Sequence, residues 1–213
     1  MKYSVKKLVL MAMLAAVAYM IVALVRIPVV LFLKYEPKDV VITIGGFLLG
    51  PMASFIISAL VSLLEMVSFS ETGPIGCLMN LLSTCCFACT AAFIYKKQHS
   101  LKGAVIGLIT GSVLMVGIML LWNWLITPLY LGVERTAVEA MLLPAFLPFN
   151  LLKVGLNTAL TLCLYKPLVT ALRKTGLVEA GIKKGASKIG IYIFAAGLLL
   201  TCTLLLLVMQ GKI

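Results

Sequence analysis

Carboxylates are scarce in this chain: seven in 213 residues, beside a single histidine, His99. Several kinds of chemistry drop out with them. No GxxxxGK[ST] run occurs, so the chain shows no phosphate-cradling loop of its own for ATP. There is no HExxH, and His99 stands in a loop among lysines. Only Glu65 falls within an apolar span, near its outer end, whereas a proton relay needs several intramembrane ionisable groups. No nucleophile with a base and no metal set is visible. The chain does not read as an enzyme.

Charge of either sign makes up 12% of the residues, apolar side chains make up 62%, and the mean hydropathy is +1.15. Such a chain cannot clothe a soluble domain in polar groups. Long apolar runs between short charged knots predict an all-α polytopic membrane protein in a lipid bilayer. A cleavable leader is not expected, because Lys2, Lys6 and Lys7 precede a run of full span length. The net charge of +11 does not point to nucleic acid, since the basic residues flank the spans. All six cysteines lie in apolar runs. Cys85, Cys86 and Cys89 form a CCxxC with no histidine or carboxylate in the run, which favours small buried side chains over a metal or redox motif.

The apolar runs place a first helix near 7–25, a loop near 26–38 and a short segment near 39–49 that ends at Gly50-Pro51. Further spans fall near 52–69, 75–95, 103–122, 147–168 and 190–209. The short segment reaches about 16 Å, against about 30 Å of hydrocarbon. It therefore re-enters, packs deep within protein, or crosses with help from its flanks. Counting it as a crossing puts Lys2, Lys6 and Lys7 on one side with Lys96, Lys97 and Lys102. Lys166, Arg173, Lys174, Lys183, Lys184 and Lys188 join them there, twelve of the eighteen basic residues. That bias predicts a cytoplasmic N-terminus and an extracellular C-terminus. The stretch "RKTGLVEAGIKKGASK" (173–188) reads as a basic cytoplasmic linker.

Polar residues gather at the outer ends of the spans. Asn150, Lys153 and Asn157 recur at i, i+3 and i+7 and so share a helix face. An intramembrane lysine marks a functional site by default, with snorkelling as the bland alternative. Two amides and an ammonium suit a ligand edge that carries carbonyl oxygens and an N–H. Asn123 sits between Trp122 and Trp124, where an interfacial aromatic belt explains the tryptophans equally well. Asn80 and Thr84 stand one turn apart and also suit helix–helix hydrogen bonding. Four charges crowd around Pro37: Lys34, Glu36, Lys38 and Asp39. Glu36 and Asp39 complement a helix N-terminus there, and the position of the knot suggests a lid. Ala12, Ala16, Tyr19 and Ala23 form one small-residue stripe and Gly103, Gly107 and Gly111 another; internal packing is the default for both.

Together "YEPKDVVITIGGFLLGP", "GPIGCLMNLLST", "NWLITPLYLG" and "PFNLLKVGLN" resemble the riboflavin-specific S component (RibU type) of energy-coupling-factor (ECF) vitamin transporters. The likeness runs over residues 1 to about 172 and implies a six-helix substrate-binding membrane domain. The linker and an additional C-terminal transmembrane segment (190–213) lie beyond it. It implies riboflavin as transported ligand rather than a resident cofactor, with Asn123, Asn150 and Lys153 on the polar edge of the ring. It implies that Tyr35, Glu36, Lys38 and Asp39 close over the site and help hold the ribityl chain. Asn80 and Asn157 belong to the same candidate set. The implied partners are a membrane coupling protein (T component), docked through Ala12 and Ala16, and two ATPase subunits. The alternatives are an S component for another vitamin or a stand-alone membrane carrier.

Overall fold

The computed structural model describes residues 4–68, 72–174 and 189–212. Helix α1 (Val5–Leu24) leads into an antiparallel hairpin, β1 (Ile27–Val30) and β2 (Leu33–Tyr35). Then come the short α2 (Lys38–Leu49), α3 (Pro51–Ser68) and α4 (Gly73–Thr84). A π turn (Cys85–Cys89) joins α4 to α5 (Thr90–Gln98), and α6 (Leu101–Leu131) follows. The chain continues through α7 (Arg135–Met141), a second π turn (Leu142–Phe146), α8 (Leu147–Lys174) and α9 (Ile189–Met209). Six helical stretches among the described residues are long and apolar enough to cross a membrane. The fold is an all-α membrane bundle with one short hairpin.

Residues 38–47 of α2 are all buried. Its first turn lies at the end of the bundle that carries the hairpin. Near its last turn Phe47 meets Tyr95 and Tyr165, with ring centroids 4.6 and 5.6 Å away. Those two tyrosines hydrogen-bond to each other. Twelve residues rise only about 18 Å, yet that suffices here because protein, not lipid, surrounds the helix. Of the three fates open to the short segment, deep packing is the one observed. Gly50, at φ +99°, makes the reversal that an L side chain resists, and Pro51 opens α3. Behind the reversal Ser54 Oγ of α3 donates to the Ile42 carbonyl at 3.1 Å.

The two small-residue stripes part company. A Cβ on Gly107 would stand 2.7 Å from the Ala91 carbonyl oxygen, and one on Gly111 would stand 2.5 Å from that of Phe87. Gly103, Gly107 and Gly111 are buried and let α6 close onto α5 and the first π turn. On α1, internal packing is not what the stripe does. Leu10, Met11, Leu14, Ala15, Ala18 and Val22 face the core, while Ala12, Ala16 and Ala23 are exposed on the other side. Tyr19 is half-buried and donates to Ser68 Oγ at 2.8 Å.

One further expectation changes. The loop near 26–38 is a hairpin with an irregular register between Pro28 and Val30, turning at Leu31 with φ +52°. The last apolar segment is a helix packed on α8 and touching β1. Most of the linker, residues 175–188, lies outside the described residues, as does Lys2.

Candidate functional site: a cleft beneath the hairpin

Neighbouring residues on the first turn of α2 carry opposite charges, and each is 1% exposed. Lys38 turns toward α3, where its Nζ donates to Glu65 Oε1, and it pairs with Glu36 Oε2 at 3.1 Å. Glu36 Oε1 meets Arg26 Nε at 3.1 Å, and Glu65 Oε2 accepts from Asn80 Nδ2 at 2.9 Å. Asp39 turns the other way. Its Oδ1 accepts from Thr84 Oγ1 of α4 at 2.7 Å, and its Oδ2 accepts from Asn157 Nδ2 of α8 at 3.2 Å. Lys153 Nζ stands 3.5 Å from that same Oδ2. Buried charges persist only when paired and hydrogen-bonded, and both carboxylate oxygens of Asp39 are so engaged. The helix N-terminus adds its own favourable field for Asp39.

The hairpin is tied into this hub. Tyr35 donates to Asn157 Oδ1 at 3.0 Å, which fixes the Asn157 amide with its N–H toward Asp39. Burial pushes the Tyr35 hydroxyl above its usual pKa, so it stays a neutral donor.

Above the hub lies an open cleft whose empty space, solvent at its mouth included, comes to about 820 Å³. One wall is polar: Asn123 of α6 with Asn150 and Lys153 of α8. Asn80 and Ser83 of α4, Glu65 and Glu36 continue it. Phe32, Leu33, Met79, Met119 and Phe149 supply apolar surface, and Arg26 and Lys34 border the mouth. Asn123 Nδ2 donates to the Met119 carbonyl at 2.7 Å, and its Oδ1 accepts from Thr127 at 3.0 Å. Asn150 Nδ2 donates to the Phe146 carbonyl at 2.8 Å. A carbonyl can only accept, so these contacts fix which end of each amide faces which way. Each amide keeps a second N–H that these contacts do not use.

Of the nine residues expected at the site, Asn80, Asn123, Asn150, Lys153 and Glu36 line the cleft. Tyr35, Lys38, Asp39 and Asn157 do not border it; they form the buried layer that holds the lining residues in place. Of the charged knot, Lys34 and Glu36 reach the cleft in this structure. Phe32 and Leu33, from the hairpin, line it beside Lys34. Lys153 does not snorkel either: its Nζ points inward to Asp39 and, at 3.4 Å, to Ser83 Oγ.

Sequence reasoning left out Glu65, Arg26, Ser83 and the apolar lining. Glu65 carried a usable signal, an ionisable group within a span. Phe32, Met79, Met119 and Phe149 carried none, because nothing separates them from other apolar residues in the chain.

The sequence model of the ECF transporter substrate-specific component matches residues 6–165. This chain belongs to that family. The S component is 30% identical over 161 residues to the riboflavin transporter FmnP of Bacillus subtilis (strain 168), covering 70% of this chain and 84% of the relative. It is 30% identical over 172 residues to the riboflavin transporter RibU of Lactococcus lactis subsp. cremoris (strain NZ9000), covering 76% and 83%. A solved S component of a bacterial ECF transporter superposes with a TM-score of 0.67 at 27% identity, covering 79% of this chain and 98% of that one. Helix α9 lies beyond the residues that the family's model matches. The cleft and the hub beneath it lie wholly within them.

Proposed function

We propose that this S component captures riboflavin in the cleft from outside the cell and hands it to partner subunits for ATP-driven uptake. The observation that carries the reading is the cleft wall. Two amides of fixed orientation and an inward-facing ammonium stand on α6 and α8, beside apolar and aromatic surface from Phe32, Met79 and Phe149. A flat heteroaromatic ring with carbonyls and an N–H along one edge complements such a wall. The relatives' names support riboflavin in particular. Riboflavin is cargo in this reading, not a cofactor. The bias of lysine and arginine places the cleft at the extracellular end, with the N-terminus cytoplasmic and the C-terminus extracellular. The partners are a membrane coupling protein, met through the exposed Ala12 and Ala16, and two ATPases, since the chain shows no phosphate-cradling loop.

Purification in detergent tests this directly: the protein should emerge yellow or acquire a flavin spectrum on titration. Lys153→Ala should weaken riboflavin by roughly 1.5–3 kcal/mol, about 10- to 150-fold, through loss of a charge-assisted hydrogen bond. Lys102→Ala, exposed at the far end of the bundle, should change nothing. A protein that binds another vitamin and ignores flavin, or equal small effects of the two substitutions, would overturn the assignment.

A further inference from the structure

Helix α9 packs along α8, and its far end reaches the hairpin that walls the cleft. Cys202 is buried in one apolar cluster with Val29, Leu33 and Tyr35 of the hairpin and with Phe149 and Leu152 of α8. Gly155 of α8 makes that seat: a Cβ there would stand 2.5 Å from Cys202 Sγ. Directly after the apolar run, Gln210 Nε2 donates to the Pro28 carbonyl of β1 at 2.7 Å. The hairpin has need of support. It pairs four residues with three across an irregular register, and an isolated two-stranded hairpin is marginal in water. Its inner edge presents Phe32, Leu33 and Lys34 to the cleft.

We propose that α9 braces the β1–β2 hairpin, with Gln210 and Cys202 as positioning residues, and so sets how slowly ligand leaves the cleft. Neither touches the cleft, and both act through the strand pair that does. The brace rests on packing alone, whereas its effect on ligand rests on the function proposed above. By docking along α8 and β1, α9 also leaves the exposed alanines of α1 uncovered. An added helix of this kind can change ligand exchange without blocking that face.

Full-length wild type, Gln210→Ala, Gln210→Lys and Gly155→Val are compared in detergent by hydrogen exchange and by stopped-flow riboflavin displacement. In Gln210→Ala and Gly155→Val, amides of residues 27–35 should exchange at least about fivefold faster, with no change in α3 or α6. Riboflavin should dissociate about three- to tenfold faster, with the association rate altered less than about twofold. Gln210→Lys keeps a donor and should keep wild-type behaviour. Unchanged hairpin exchange in Gln210→Ala, which leaves the bundle's packing untouched, overturns the brace. Faster exchange with an unchanged dissociation rate overturns its link to the ligand. Faster exchange in a protein that binds no flavin at all keeps the brace and removes the riboflavin reading.

Discussion

Lys38 sits among carboxylates at 1% exposure, and its burial is tolerable only because Glu36 and Glu65 are there. Removing one member of such a set costs more than the set itself contributes, because the others remain buried and uncompensated. Lys38→Met should therefore lower stability by roughly 3–5 kcal/mol. The double variant Lys38→Met/Glu65→Leu should recover part of that loss. Thermal unfolding in detergent checks it, and a double variant less stable than the single one would contradict the pairing. The same residue shows where sequence reading stops. The charged knot was legible as unusual, but charges in a loop are assigned to water unless their partners are visible. Here the partners lie far along the chain: Glu65 is 27 residues away from Lys38, and Asn157 is 118 from Asp39. The i, i+3, i+7 face of Asn150, Lys153 and Asn157 was readable because its members share one helix.

At the scale of the element, the long spans were legible from hydropathy, and the shortness of α2 was legible from Gly50-Pro51. The hairpin was not. Its strands are "IPVV" and "LKY", too short for an alternation to register, and Leu31 takes a positive φ without the glycine or asparagine that signals such turns. The glycine repeat on α6 was readable as packing, and its members permit a paired test. Gly111→Ala should destabilise by about 1–3 kcal/mol, since the new methyl meets the Phe87 carbonyl oxygen. Gly117 lies on the same helix with nothing within 4 Å of a Cβ. Gly117→Ala should be neutral or stabilise by up to about 1 kcal/mol, from helix propensity. Equal melting shifts for the two would mean that α6 does not approach α5 as closely as described.

For the whole molecule, the class of protein was the most legible property of all, because a chain 62% apolar has few other solutions. Which surfaces face partners was less so. Small residues spaced alike on α1 and α6 look the same in sequence, yet one set is exposed and the other buried. Their exposure makes Ala12 and Ala16 suited to close approach by another membrane helix. Ala16→Trp should abolish riboflavin uptake in cells that hold the complete transporter, while the purified protein binds flavin with wild-type affinity. Parallel loss of folding and binding would instead place Ala16 in the core. Unimpaired uptake would remove this face from the coupling interface.

The separation of Asp39 from its partners also has a meaning in time. A ribosome adding about 5–20 residues per second leaves on the order of ten seconds between Asp39 and Asn157. Lys38 meets Glu65 far sooner, 27 residues on. During synthesis the two halves of the hub therefore complete in order, the α3 side first and the α8 side last. Until α8 arrives, Asp39 lacks Asn157 and Lys153, two of its partners. The floor of the cleft is thus complete only on the arrival of α8, late in the birth of the chain.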